Sequence, residues 1–302
     1  MLRRQRLVLA LLAEAKRALV RPVVGHLVFL LRQESPLRDE ATGYDFVPYA
    51  SGPCSFTLDR ELASLQNSGF LSGDGGRLKL AFERLPESRK FIQTIPRDAH
   101  SALESIVGHY GRMSREALVE EVSSRYPWYA AGPLSNDQES RKSSKRPKAV
   151  YTAGYEHCSA ERFLGGLLKE GVQCIADVRA NPMSRKFGFG RSSLSEIAGK
   201  LGLEYLSFPT LGIPSRARAG LDGFASYQRL LDSYEREVLR RNHADILALA
   251  AVARAKPTVL VCKEQEARYC HRSRLAAAVA KLSDLPVQHL DPFSEGVDPD
   301  SR

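Results

Sequence analysis

The sequence predicts an α/β protein in two parts: a parallel sheet flanked by helices over residues 150–292, preceded by a mainly α domain over residues 1–130. Three observations carry this prediction. Residues 150–290 alternate short apolar runs with helix-period segments, the pattern of parallel strands joined by helical crossovers. Residues 1–130 show helical periodicity interrupted by one Gly-rich turn between two short strands. Between them, residues 131–149 (AGPLSNDQESRKSSKRPKA) are small, polar and basic and offer almost nothing to bury, so they read as a basic linker.

In the first part, Leu7, Leu11, Leu12, Ala15 and Leu19 recur at helical spacing and predict a first helix. Residues 26–31, after Pro22, continue as a second, apolar helix. Thr57 is the expected N-cap of a third, which stops near Gly69. Phe70-Leu71 and Arg77-Leu78-Lys79-Leu80 flank Ser72-Gly73-Asp74-Gly75-Gly76, the signature of a hairpin. Helices followed by a hairpin outline a winged helix-turn-helix, which sets a helix in the major groove and the hairpin against the backbone. The third helix carries Asp59 and Glu61, poor partners for a groove. Trp128, with Tyr126, Pro127 and Tyr129, reads as a packing plug that ends this domain.

The second part opens with a strand at 149–152 that runs to Gly154-Tyr155. Ser159 caps a helix through Phe163, Leu167 and Leu168. Strands follow at 172–178 and 203–208, with a helix at 192–201 between them. Helical stretches at 224–239 and 243–254 lead to Thr258-Val259-Leu260-Val261-Cys262, an apolar run suited to a strand buried on both faces. In the first of these stretches Phe224, Tyr227, Leu230, Leu231 and Tyr234 recur at helix spacing and are expected in the core. A helix at 270–282 and a strand at 287–290 close the unit, and a polar, flexible tail is expected at 293–302. The alternation predicts a parallel sheet covered by helices on both faces, and ligands of such sheets bind beyond the carboxyl ends of the strands.

Composition narrows the function classes. The chain has 302 residues with 44 Lys and Arg against 35 Asp and Glu, a basic balance that favours a polyanionic partner such as DNA. Residues 1–150 carry 23 of the basic and 17 of the acidic residues. The five cysteines, Cys54, Cys158, Cys174, Cys262 and Cys270, form no CxxC pair and argue against a disulfide scaffold, so a reducing, cytoplasmic setting is expected. No apolar run reaches the length of a membrane span, and the early stretch from Leu7 to Ala13 reads as a helix core. No membrane partner is expected.

The strand ends carry the chemistry. Tyr155, Asp177, Arg179, Arg185, Lys186, Glu264 and Cys270-His271-Arg272 all fall just past strands or at a helix start. Thr152-Ala153-Gly154-Tyr155, Asp177-Val178-Arg179 with Asn181-Pro182-Met183-Ser184-Arg185, Leu211-Gly212, and Leu260-Val261-Cys262-Lys263-Glu264 with Cys270-His271-Arg272 resemble the family named domain of unknown function 488. The resemblance covers residues 150 to about 290. It implies a Rossmann-like domain of deoxyribosyltransferase-like architecture and, from its occurrence near DNA-modification systems, base or nucleotide chemistry. Tyr155 departs from it, where many relatives carry a His-Ser pair. Tyr44-Asp45-Phe46-Val47-Pro48-Tyr49, Gly52-Pro53-Cys54-Ser55-Phe56 and Asn67-Ser68-Gly69-Phe70-Leu71 resemble prokaryotic winged-helix proteins of toxin–antitoxin and phage-associated settings. That resemblance implies a DNA- or partner-binding module.

Together these expectations describe a DNA glycosylase that removes a modified base, in the setting of phage defence. Cleaving an N-glycosidic bond passes through an oxocarbenium-like state, which needs a carboxylate to stabilise it and to activate water. Asp177 and Glu264 are the candidate carboxylates, with Tyr155 as the third catalytic candidate. Phe187 and Phe189, with Tyr155, are candidates to stack a base flipped from double-stranded DNA. Arg179, Arg185, Lys186, Arg191, Arg216, Arg218 and the helix start at Cys270-His271-Arg272 are candidates to hold substrate and phosphates. No cofactor and no metal are assigned. Three alternatives stay open. Cys270 invites thiol chemistry, and a zinc set of Cys262, Cys270, His271 and His157 matches no common spacing. A nuclease would want a larger carboxylate cluster than Asp177, Glu264 and Glu266. A nucleotide-sensing regulator would use the same pocket without catalysis.

Overall fold

A computed structural model describes residues 1–35, 43–130, 132 and 147–291, which fall into two compact units, the first ending at Gly132. The linker expected at 131–149 lies outside the described residues except for Gly132 and 147–149, and the tail expected at 293–302 lies wholly outside them. Among the described residues, no helix is long and apolar enough to cross a membrane.

The first unit opens with α1 (Arg3–Ala15), β1 (Leu19–Val20) and α2 (Arg21–Glu34). Leu19, expected on the first helix, lies on β1 instead. Lys16 takes a left-handed φ of 52° and its N–H bonds the Ala13 carbonyl, which ends α1 at Ala15, before Leu19 is reached. A short ribbon, β2 (Val47–Tyr49) and β3 (Gly52–Cys54), leads into α3 (Phe56–Asn67). The cap of α3 is Ser55, not Thr57: its Oγ accepts the Leu58 N–H at 3.3 Å, and Thr57 sits in the first turn. The expected hairpin forms as β4 (Leu71–Ser72) and β5 (Arg77–Leu80), and β1 pairs with the far side of β5 in an antiparallel order β1-β5-β4. Helices α4 (Leu85–Gln93), α5 (Arg97–Tyr110), α6 (Arg115–Arg125) and α7 (Pro127–Ala130) complete the unit.

One core joins this unit, with Leu9, Leu11, Leu27, Leu30, Leu62 and Leu78 buried together. Phe29 meets Tyr126 and Tyr129 edge-on at 5.1 and 4.7 Å, so the aromatic plug packs inward. Glu61 turns inward as well: it pairs with Arg4 and accepts the Tyr44 hydroxyl at 2.7 Å. His26 is buried, with Nδ1 2.7 Å from the Pro22 carbonyl and Nε2 beneath Gly52, whose φ is +98°. A Cβ at Gly52 would lie 2.8 Å from that Nε2, so the ribbon closes over the ring only as glycine.

Burial holds the His26 pKa below its ordinary 6.5, against the Pro22 bond that raises it. Below about pH 6.5 the unfolded chain therefore takes up a proton that the folded unit does not. Stability should fall as pH drops through that window, by at most about 1.4 kcal/mol per pH unit. Thermal melts from pH 7.5 to 5 should show this slope, and His26→Leu should flatten it. An unchanged slope in the variant would assign the effect elsewhere.

The second unit runs β6 (Val150–Gly154), α8 (Ala160–Lys169), β7 (Cys174–Asp177), α9 (Arg191–Lys200), β8 (Glu204–Ser207), α10 (Phe224–Tyr234), α11 (His243–Ala255), β9 (Thr258–Cys262), α12 (Arg272–Ser283) and β10 (Val287–His289). The five strands pair parallel in the order β10-β6-β9-β7-β8. This is the predicted α/β sheet. Strands β6, β7 and β9 are buried at every position, which is why they read as apolar runs without alternation. Ser159 caps α8 as expected, its Oγ accepting the Arg162 N–H at 3.0 Å.

The chain steps one way across the sheet from β6 to β8 and returns through β9 to β10. With right-handed crossovers, that reversal sets α8 and α9 on one face and α10 to α12 on the other. Leu231, Tyr234, Ile246, Leu249, Leu275 and Val279 pack there against Val150, Ala176 and Leu260. Phe224 departs from its expected core role: it begins α10, is 52% exposed, and leans edge-on against Tyr269 at 5.9 Å. Strand β9 lies between β6 and β7, and its following helix leaves to the face opposite theirs, so the edge beyond these three carboxyl ends is where ligands of such a sheet bind.

Candidate functional site

The register brings the three central strand ends side by side: Gly154 lies opposite Cys262, and Asp177 opposite Val261. The segment after β9 folds back against β6. A Cβ on Gly154 would sit 1.8 Å from the Glu264 carbonyl oxygen, and one on Gly212 would sit 2.0 Å from the Ala180 nitrogen. Both glycines are needed for close backbone approach, not for an unusual φ. Gly154→Ala should therefore push the Glu264 segment off β6 and cost about 1–3 kcal/mol in urea unfolding. Gly199→Ala, on the open side of α9 with nothing within 4 Å, should stabilise by up to about 1 kcal/mol. Equal effects of the two substitutions would refute the close approach.

Two clusters occupy this edge. The first is closed. Asp177 is 0% exposed, and its two oxygens receive Arg179 Nε at 2.8 Å and Nη2 at 2.5 Å, with the Tyr205 hydroxyl adding a third bond at 2.7 Å. Arg179 Nη1 donates to the Tyr155 hydroxyl at 2.6 Å and the Phe189 carbonyl at 2.8 Å. Tyr155 stacks on Phe189 with centroids 4.0 Å apart and planes 10° off parallel. Burial works against the Arg179 charge, but Asp177 more than offsets it and holds its pKa above the ordinary value. Burial also pushes the Tyr155 and Tyr205 hydroxyls up, so both stay protonated, Tyr205 as a donor to Asp177 and Tyr155 as an acceptor from Arg179.

This corrects several roles expected from the sequence. Asp177 has no free face for a water or a sugar. Arg179 is buried and spent on its own chain, so it holds no phosphate. Tyr155 and Phe189 are buried against each other and present no face to a flipped base. Their physical reason is common: each satisfies a neighbour that would otherwise be a buried polar group without a partner. Tyr205, which sequence reasoning missed, is the third member of the Asp177 network. Its only signal is position, on the strand beside β7 and two residues before the partner of Asp177.

The second cluster reaches the surface. Glu264 follows β9 and pairs with Arg218, their side chains 18% and 29% exposed. Glu264 Oε2 lies 3.0 Å from Cys262 Sγ. His271 sets Nε2 against the Val178 carbonyl at 2.9 Å, which makes Nε2 the protonated nitrogen and turns the Nδ1 lone pair inward. That Nδ1 lies 3.8 Å from both Cys262 Sγ and Cys270 Sγ and 3.4 Å from Arg218 Nη2. The Cys270 thiol bonding to it, together with His271, holds the Cys262 thiol well below its usual range despite burial. Burial and the Cys262 charge push Cys270 up. Glu264 is raised by burial and then by Cys262, with Arg218 opposing.

Arg272 supports this cluster from behind. It is 1% exposed and donates to the Glu264 carbonyl and, at 2.6 Å, to the Gln265 carbonyl, with Nε 3.4 Å from Thr152 Oγ1. It therefore positions the Glu264 segment and does not meet DNA. Cys270 and His271 are also 1% exposed, so the helix start is sealed from a phosphate backbone. His157, considered as a fourth zinc ligand, is 74% exposed and sits by Glu156, away from the thiols. Glu266 pairs with Arg268 on the surface and adds no second carboxylate to Glu264.

Residues 159–279 match the family model "Domain of unknown function DUF488". The match runs from the Ser159 cap into α12, so it holds every member of both clusters except Tyr155, which precedes it. No curated protein and no solved structure matches the chain.

The remaining predicted residues of the DUF488 stretch lie further out. Arg185, Arg191 and Arg216 are exposed, and Phe187 is half-buried. Lys186 is half-buried, with Nζ donating to the Glu156 carbonyl at 2.8 Å and the Tyr155 carbonyl at 3.2 Å, so it braces the turn after β6. Arg218 alone of the predicted arginines joins the surface-reaching cluster. Within the DUF488 match, the group that can meet both solvent and reactive side chains is therefore Glu264, with Arg218, Cys262 and His271 around it.

Proposed function

We propose that this chain is a hydrolase of N-glycosidic bonds that excises a modified base from DNA, with Glu264 as its reacting carboxylate. The observation that carries the reading is the contrast between the two carboxylates at the sheet edge. Asp177 is sealed, whereas Glu264, just past the end of β9, keeps a solvent-facing side. Its raised pKa moves the carboxylate toward the pH at which it serves as a base. In this mechanism Glu264 stabilises the cationic sugar and accepts the proton of the attacking water, and Arg218 orients the carboxylate. Arg185, Arg191 and Arg216 hold phosphates around the opening.

The first unit serves as the DNA-binding element in this reading. Its antiparallel order β1-β5-β4, with α3 leading into the β4–β5 hairpin, supports reading it as a winged helix. Arg77 and Lys79 are exposed on the hairpin, while Glu61 is withdrawn into the core. Backbone binding by the hairpin fits this surface better than base reading by α3. Phage defence supplies the setting in which modified DNA bases are met.

The test is strand breakage after alkali on DNA with unmodified and phage-type modified bases, with and without EDTA. Breaks that need alkali and occur on modified DNA support base excision. Breaks without alkali mean phosphodiester cleavage, and no breaks on any substrate reject the reading. A second reading, thiol catalysis, is favoured by the position of His271 Nδ1 between the two sulfurs. It expects Cys262→Ala to be inactive and Cys262 to be alkylated by iodoacetamide before the other cysteines.

A further inference from the structure

We propose that Cys262, Cys270 and His271 bind one zinc ion through their two sulfurs and Nδ1, with the fourth position facing Glu264. The three ligand atoms lie within 4.8 Å of one another, and all three residues are buried. Zinc bound at about 2.3 Å to sulfur and about 2.0 Å to nitrogen, at tetrahedral angles, needs sulfur–nitrogen edges of about 3.6 Å. Both such edges here are 3.8 Å. The ligands meet through the fold: Cys262 ends the central strand β9, and Cys270-His271 enters α12 after the chain turns back. Seven residues separate the cysteines, so no familiar zinc spacing announces the set.

Three further features fit a metal centre. His271 donates Nε2–H to the Val178 carbonyl, the outer bond that orients a metal-binding imidazole and leaves Nδ1 to the ion. Two thiolates would balance the ion, which matters in a site 1% exposed, where unbalanced charge is costly. Thiolate and imidazole together select zinc over magnesium or calcium, which take oxygen ligands. Arg218, at 3.4 Å from Nδ1, is the neighbour that yields to the ion, and its side chain reaches the surface. With three protein ligands, the set leaves the fourth position to a water or to Glu264, whose Oε2 lies 3.0 Å from Cys262 Sγ.

Metal binding is read without any activity, so this proposal and the base-excision reading fail separately. The full chain is stripped with chelator, kept reduced, and titrated with Co2+ and then Zn2+. The expected result is one ion per chain, thiolate-to-cobalt charge-transfer absorption, and the strong visible bands of tetrahedral cobalt, all displaced by Zn2+. Cys270→Ser and His271→Gln should lose the tetrahedral spectrum, while Cys54→Ser should keep it. The wild-type spectrum decides the matter even where a variant fails to fold. Less than a tenth of an equivalent bound by wild type, or cobalt bound without the thiolate band, overturns the proposal.

Discussion

Glu264→Gln should reduce base excision by about 10²–10⁴-fold while leaving the fold intact, because general base work contributes about that much. The substitution keeps shape and one acceptor oxygen. It removes the charge that pairs with Arg218 and the site that takes the proton. The pair is partly exposed, so its loss should change the unfolding free energy far less than it changes the rate. The measurement is single-turnover excision beside a urea melt of the same preparation. A rate within threefold of wild type would remove Glu264 from the mechanism. A rate lost in step with cooperative unfolding would make Glu264 structural. Arg218→Met should lower the rate as well, and more at the chemical step than in DNA affinity, since Arg218 touches the carboxylate. A loss of affinity alone would return Arg218 to the phosphate-binding role expected from the sequence.

Much of the second unit was legible because its strands are buried on both faces. Residues 258–262 can be little else than a parallel strand, and Ser159 stands where a helix cap belongs. The first unit was harder. Strand β1 is two residues long, too short to show alternation, so Leu19 read as helix. Ser55 and Thr57 are both good caps, and only the turn of the chain after β3 chooses between them. The site was legible as a set of strand ends but not as partners. Asp177 and Glu264 look alike in sequence, each one step from an apolar run. What separates them is tertiary: Tyr205 arrives from the next strand, Arg179 folds back two residues, and together they close over Asp177. Likewise Cys262 meets Cys270-His271 because Arg272 grips the Glu264 and Gln265 carbonyls and holds the return of the chain. No spacing rule anticipates that contact.

The closed cluster makes the second large prediction. Arg179→Met should destabilise the second unit by about 3–5 kcal/mol, because it leaves the Asp177 carboxylate buried with its strongest partner gone. Asp177→Asn should cost less, since an amide keeps one acceptor and carries no charge to strand, yet Arg179 then remains buried against a neutral group. The double variant Asp177→Leu/Arg179→Met should be less destabilised than the sum of the two single variants Asp177→Leu and Arg179→Met, since the penalty of one stranded charge is not paid twice. Urea denaturation of the four proteins gives the coupling directly. Strict additivity would mean that the two groups act independently, against the 2.5 and 2.8 Å bonds that join them. The same series separates support from chemistry. If Asp177 positions the edge and does not react, activity per folded molecule in Asp177→Asn should stay within about tenfold of wild type, while Glu264→Gln loses far more. A carboxylate that reacted would show the opposite order, with Asp177→Asn folded and inert.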